Sequence, residues 1–101
     1  MQNKVNEFNK NRGVHLAPMP VSARILDIES EMGELAKEYL KYSGYGTGQF
    51  KLKEDFKLEF GDVLYSLLSL ADELGINADE CLDMAINKYK QRIEKSNSMG
   101  S

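Results

Sequence analysis

The sequence predicts an all-α fold, a four-helix-bundle-like arrangement of one short N-terminal helix and three longer ones. Three observations lead there. Apolar residues recur at three- and four-residue steps through three long stretches, the period of a core-facing helix. No segment shows the polar–apolar alternation of a half-buried strand. The two prolines, Pro18 and Pro20, and the glycine-rich stretch at 43–49 separate the periodic stretches instead of interrupting them.

Ahead of the prolines, Val5 and Phe8 lie three apart among polar residues and predict an amphipathic helix of about three turns. Ile25, Ile28, Met32, Leu35, Ala36 and Tyr39 then mark a second helix over about 22–42, with Ser22 as the candidate N-cap. The glycines of SGYGTGQ make its continuation costly. Phe56, Phe60, Val63, Leu64, Leu67, Leu70 and Leu74 define a third helix over about 52–74, closed by Gly75 where a left-handed glycine is favoured. This helix is apolar over more than half its circumference, so part of it is expected in a subunit interface. Asn77 or Asp79 caps a fourth helix that carries Leu82, Ala85, Ile86, Tyr89 and Ile93 on one side. Residues 1–95 are read as a single helical domain. The remaining SNSMGS at 96–101 has no apolar anchor and is read as a flexible tail.

Composition narrows the function classes. The 101 residues hold 13 Lys+Arg against 16 Asp+Glu, a net charge of −3, which supplies no broad positive field for a nucleic acid polymer. Cys81 and His15 are each alone, so disulfides and cysteine zinc sites are excluded and any metal is held largely by carboxylates. Cys81 is expected as a small buried hydrophobe and His15 as a loop residue. No apolar run approaches the roughly 20 residues of a membrane-spanning helix. The N-terminus lacks the apolar segment of a secretory signal, so the expected compartment is the cytoplasm.

Chemistry points to two carboxylate pairs. Glu31 and Glu34 are three apart on the second helix, and Glu59 and Asp62 are three apart on the third. Each pair shares a helical face, and antiparallel neighbours turn the two pairs towards each other. Four hard oxygen donors suit Mg²⁺, with Mn²⁺ as a possible substitute. By helical phase these carboxylates border the apolar stripes, where they repel one another unless a cation intervenes. ExxE and ExxD also arise on ordinary solvated faces. Asp27, Glu29, Glu38, Glu54 and Asp55 are read as such solvated acid. Gly33 and Gly61 each precede the second carboxylate of a pair inside a helix, at a cost of ~1 kcal/mol relative to alanine. They strengthen the case for a site, and close helix packing is the competing explanation.

ESEMGELAKE (29–38), followed by EFGDVLYSLLSLADELGI (59–76), resembles the signature of the MazG-like all-α nucleoside triphosphate pyrophosphohydrolases. INKYKQR (86–92) is similar to the basic stretch on that family's last helix, and FNKNRG (8–13) resembles its aromatic-then-arginine opening. The likeness touches all four predicted helices. It departs at Ser30, where many members carry glutamate, and in the lack of any tryptophan to stack a base.

The resemblance implies Mg²⁺-dependent hydrolysis of a (d)NTP to (d)NMP and pyrophosphate, in nucleotide-pool house-cleaning. It implies Glu31, Glu34, Glu59 and Asp62 as metal ligands and catalytic residues. Lys88 and Arg92, four apart on one helical face, are candidates to clamp the leaving pyrophosphate. Asn87 and Lys51 are further candidates for contact with substrate. Tyr65 or Phe50 could stack a base, although core packing is the expected role of Tyr65. A homodimer or homotetramer with sites near subunit interfaces is also implied, with a nucleoside triphosphate as the partner molecule and neither membrane nor nucleic acid polymer. The alternative is a non-catalytic interaction or nucleotide-binding module that uses the same acidic face.

Overall fold

All four expected helices are present in the computed structural model, which describes residues 1–11, 21–44 and 48–100. They are α1 (Gln2–Asn11), α2 (Val21–Tyr42), α3 (Glu54–Leu74) and α4 (Ala78–Gly100), and no strand occurs among the described residues. The proline pair and His15 lie outside the described residues.

Cross-helix bonds fix the directions. Arg24 meets Glu73 at 3.0 Å, Ser66 donates to Asp27 at 3.1 Å, and Tyr42 donates to Asp55 at 3.0 Å. As α2 ascends, its partners on α3 descend, so the two helices are antiparallel. The same logic holds for α1, where Gln2 and Asn6 donate to Asp72 while Asn9 donates to Ser69. Tyr65 takes part in this seam, its hydroxyl donating to Asn9 and its ring meeting the ring of Phe8 edge-on at 5.9 Å. Packing, as expected, accounts for Tyr65.

Helix ends follow local chemistry. Gly75 closes α3 in the left-handed region (φ 69°), and the N–H of Ile76 reaches back to the Ala71 carbonyl at 3.0 Å. Asn77 caps α4, its Oδ1 accepting from the Glu80 N–H at 3.1 Å, while Asp79 lies within the first turn. Ser22 falls inside α2, because Val21 is already helical. At the start of α3 the cap is extended Lys53, with no side-chain bond. Gln2 adds a tie that periodicity does not announce. Its amide donates to Asp72 and to the Ile76 carbonyl, both at 2.9 Å, and accepts from the Ala78 N–H at 2.8 Å. One side chain therefore spans the turn from α3 to α4.

The interior is small and partly polar. Among the described residues Val5, Val63, Leu68 and Ala71 are the buried apolar ones, and Arg24, Ser43, Ser66 and Ser69 are the buried polar ones. Arg24 is paired there with Glu73, since an unpaired buried guanidinium would cost heavily. Cys81 is exposed and not the buried hydrophobe expected, because the helix that carries it packs weakly on the others. A Cβ at Gly33 or Gly61 would meet nothing within 4 Å, so within one chain close helix packing explains neither glycine.

α4 is where this fold differs most from a closed bundle. It continues through Gly100, yet only marginal contacts join it to the other helices. Leu82, Ile86, Tyr89 and Ile93 are exposed along it. The radius of gyration is 17.8 Å, against about 13 Å for a compact chain of this length.

Candidate metal centre

Antiparallel packing of α2 on α3 carries Glu31 to the level of Glu59 and Asp62. One carboxylate oxygen from each lies within 4.8 Å of the other two. Glu31 and Glu59 are half-buried and Asp62 is exposed, so the cluster is open to solvent on one side. Glu34 belongs to the same face but not to this threesome. It is exposed and lies 3.8 Å from Lys37 one turn on.

Among the described residues, the charges that act on Glu31 and Glu59 are negative. Glu31 is held above the ordinary carboxylate range by burial first, then by Asp62, Asp27, Glu59 and Glu34. Glu59 is raised by burial first, then by Asp62, Glu34, Glu38 and Asp55. Three carboxylates with converging oxygens and mutual repulsion make a donor set that fits a hard divalent cation, which satisfies the oxygens and cancels the repulsion.

These shifts couple stability to pH. A carboxyl whose folded pKa is raised binds its proton more tightly when folded, so its contribution improves as pH falls and is lost as pH rises through that pKa. In EDTA at pH 7, Glu59→Gln is expected to melt above the wild type. The gap should close as pH falls towards 4.5, the ordinary value for this group. Thermal melts across that range check it, and a gap that widens at low pH would contradict it.

The other candidates lie elsewhere. Asn87, Lys88 and Arg92 are exposed on α4, away from the carboxylates within one chain, and the Lys88 ammonium sits 5.0 Å from the Tyr89 ring centre. Lys51 is exposed on the non-helical segment before α3, its backbone N–H donating to the Tyr42 carbonyl at 3.2 Å. Phe50 is packed between Tyr39 and Phe56, with ring centres 4.9 and 5.0 Å away. Beside the carboxylates runs an apolar groove of about 410 Å³ lined by Met32, Leu35, Ala36, Tyr39, Leu40 and Phe56.

Sequence reasoning set Asp27, Glu38 and Asp55 aside as solvated acid, yet all three act on the cluster. The signal was in the spacing. Residues 27, 31, 34 and 38 step by four, three and four, as do 55, 59, 62 and 66, so each series forms one continuous helical stripe.

No family model matches the chain. Among curated proteins it is 36% identical over 81 residues to the "uncharacterized protein YpjD" of Bacillus subtilis, covering 77% of this chain and 68% of that protein. Among solved structures it resembles the crystal structure of the "putative pyrophosphatase YPJD" of the same organism, with a TM-score of 0.64 and 30% identity. That likeness covers 87% of this chain and 86% of the other. Identity at this level, over most of both chains and on the same all-α fold, places the chain in the family of Bacillus subtilis YpjD.

Proposed function

We propose that the protein is a Mg²⁺-dependent nucleoside triphosphate pyrophosphohydrolase of the MazG-like type, releasing a nucleoside monophosphate and pyrophosphate in the cytoplasm. The observation that carries this reading is the convergence of Glu31, Glu59 and Asp62 between α2 and α3. The likeness to a protein described as a "putative pyrophosphatase" supports the same reaction class. In this reading the three carboxylates hold the cation and Glu34, close by on α2, supplements them through water. The bound cation would neutralise phosphate oxygens and lower the pKa of a bound water. Attack by water at the α-phosphorus breaks its bond to the bridging oxygen, and pyrophosphate leaves.

Among the described residues, one chain brings no positive charge to the cluster for the leaving group. We assign that charge to Lys88 and Arg92 of a second copy, with Asn87 and Lys51 as further substrate contacts. Surface area supports such pairing. A folded monomer of 11.4 kDa exposes about 5,800 Å². This chain exposes 8043 Å², roughly 2,200 Å² more, on the scale of an obligate interface. The α4 stripe and the groove beside the carboxylates are the apolar surfaces a second copy would cover.

The test is a product assay on a panel of canonical and modified NTPs and dNTPs, with Mg²⁺ or EDTA. Metal-dependent monophosphate and pyrophosphate are expected. No turnover by folded protein would favour a binding module that uses the same acidic face.

A further inference from the structure

The chain holds a further carboxylate near this centre, one of whose oxygens is left unsatisfied. Glu38 lies one turn beyond Glu34 on the stripe that faces α3, and its Oε2 is shut off from solvent with no hydrogen-bond donor. Burying a carboxylate oxygen without a donor is costly, and native structures seldom leave one so. Among the described residues, donors on the same stretch of α2 and at the start of α3 have other partners. Lys37 pairs with Glu34, Lys57 pairs with Glu54, Lys41 lies over the Tyr42 ring, and the Tyr42 hydroxyl donates to Asp55. Glu38 is close enough to Glu59 for its charge to act there. It is nevertheless outside the group whose oxygens converge within 4.8 Å.

Resting on the metal-centre reading above, we propose that Glu38 is a positioning residue whose buried Oε2 accepts a hydrogen bond from a water held at the Glu31–Glu59–Asp62 cation site. One water molecule supplies the donor that the described residues lack and joins Glu38 to a centre its own oxygens do not reach. Groups that orient a ligand from one step away commonly alter metal affinity by 10–100-fold. In the absence of metal the same carboxylate only adds repulsion. The proposal therefore requires opposite effects of one substitution on metal-free stability and on metal binding.

Glu38→Gln keeps the volume and removes the charge. Mn²⁺ affinity, read from the electron paramagnetic resonance signal of the free ion, is expected to weaken about tenfold or more. In EDTA the same variant is expected to melt at or above the wild-type temperature. With Mg²⁺ and nucleotide, kcat should fall while KM changes less than about twofold. Wild-type Mn²⁺ binding with unchanged affinity in Glu38→Gln overturns the role of Glu38 alone. Failure of the wild type to bind Mn²⁺ overturns the metal-centre reading with it. A variant that melts far below the wild type in EDTA would mark Glu38 as a structural residue and overturn the proposal.

Discussion

Glu59→Gln and Asp62→Asn are each expected to lower kcat/KM by about 100-fold or more, since a bound divalent cation is worth several kcal/mol to a phosphoryl transition state. Both changes keep shape and remove one negative oxygen ligand from the cluster. They should also erase stabilisation by metal. A ligand at a hundredfold excess over its Kd stabilises the folded state by about 2.7 kcal/mol. For a chain of this size that corresponds to a rise in Tm of about 10 °C or more. The wild type should show that rise with Mg²⁺, and the variants little of it. In EDTA both should remain folded, because the removed charge was repelled and not paired. Variants that keep wild-type turnover, or an unchanged Mg²⁺ shift, would place the metal elsewhere.

A second large effect is expected at α4. Ile86 and Ile93 are 40% and 60% exposed, seven residues apart on one stripe. The double variant Ile86→Asp/Ile93→Asp should convert an oligomer into monomers, read by light scattering. Turnover should fall with assembly, because Lys88 and Arg92 would no longer reach the carboxylates of another copy. Mn²⁺ binding should persist, because Glu31, Glu59 and Asp62 all come from one chain. The wild-type Tm should also fall on dilution, as it does wherever association stabilises the fold. A wild type that is monomeric at micromolar concentration, with a Tm independent of dilution, would contradict the shared site.

The helices were legible because their apolar spacing and end signals agree. Gly75 needed a left-handed backbone and Asn77 offered a capping oxygen, and both sit where those demands arise. The direction of α4 was not legible. Its stripe gives the period of a buried helix whether the covering surface belongs to its own chain or to another. That ambiguity also explains Cys81, placed inside by composition but exposed in the single chain. At the site, the paired spacing of Glu31/Glu34 and Glu59/Asp62 identified the face. It did not show that Glu34 turns to Lys37 while Glu38 lies with its oxygen buried. Both satisfy the same helical phase, and only packing against α3 distinguishes them.

The most direct test is hydrolysis in ¹⁸O-labelled water with Mg²⁺ and the best nucleotide from the panel, products resolved by mass spectrometry. Attack at the α-phosphorus places the label in the monophosphate and leaves pyrophosphate unlabelled, with both products absent in EDTA. Label in the pyrophosphate, or release of a diphosphate with orthophosphate, would contradict the account.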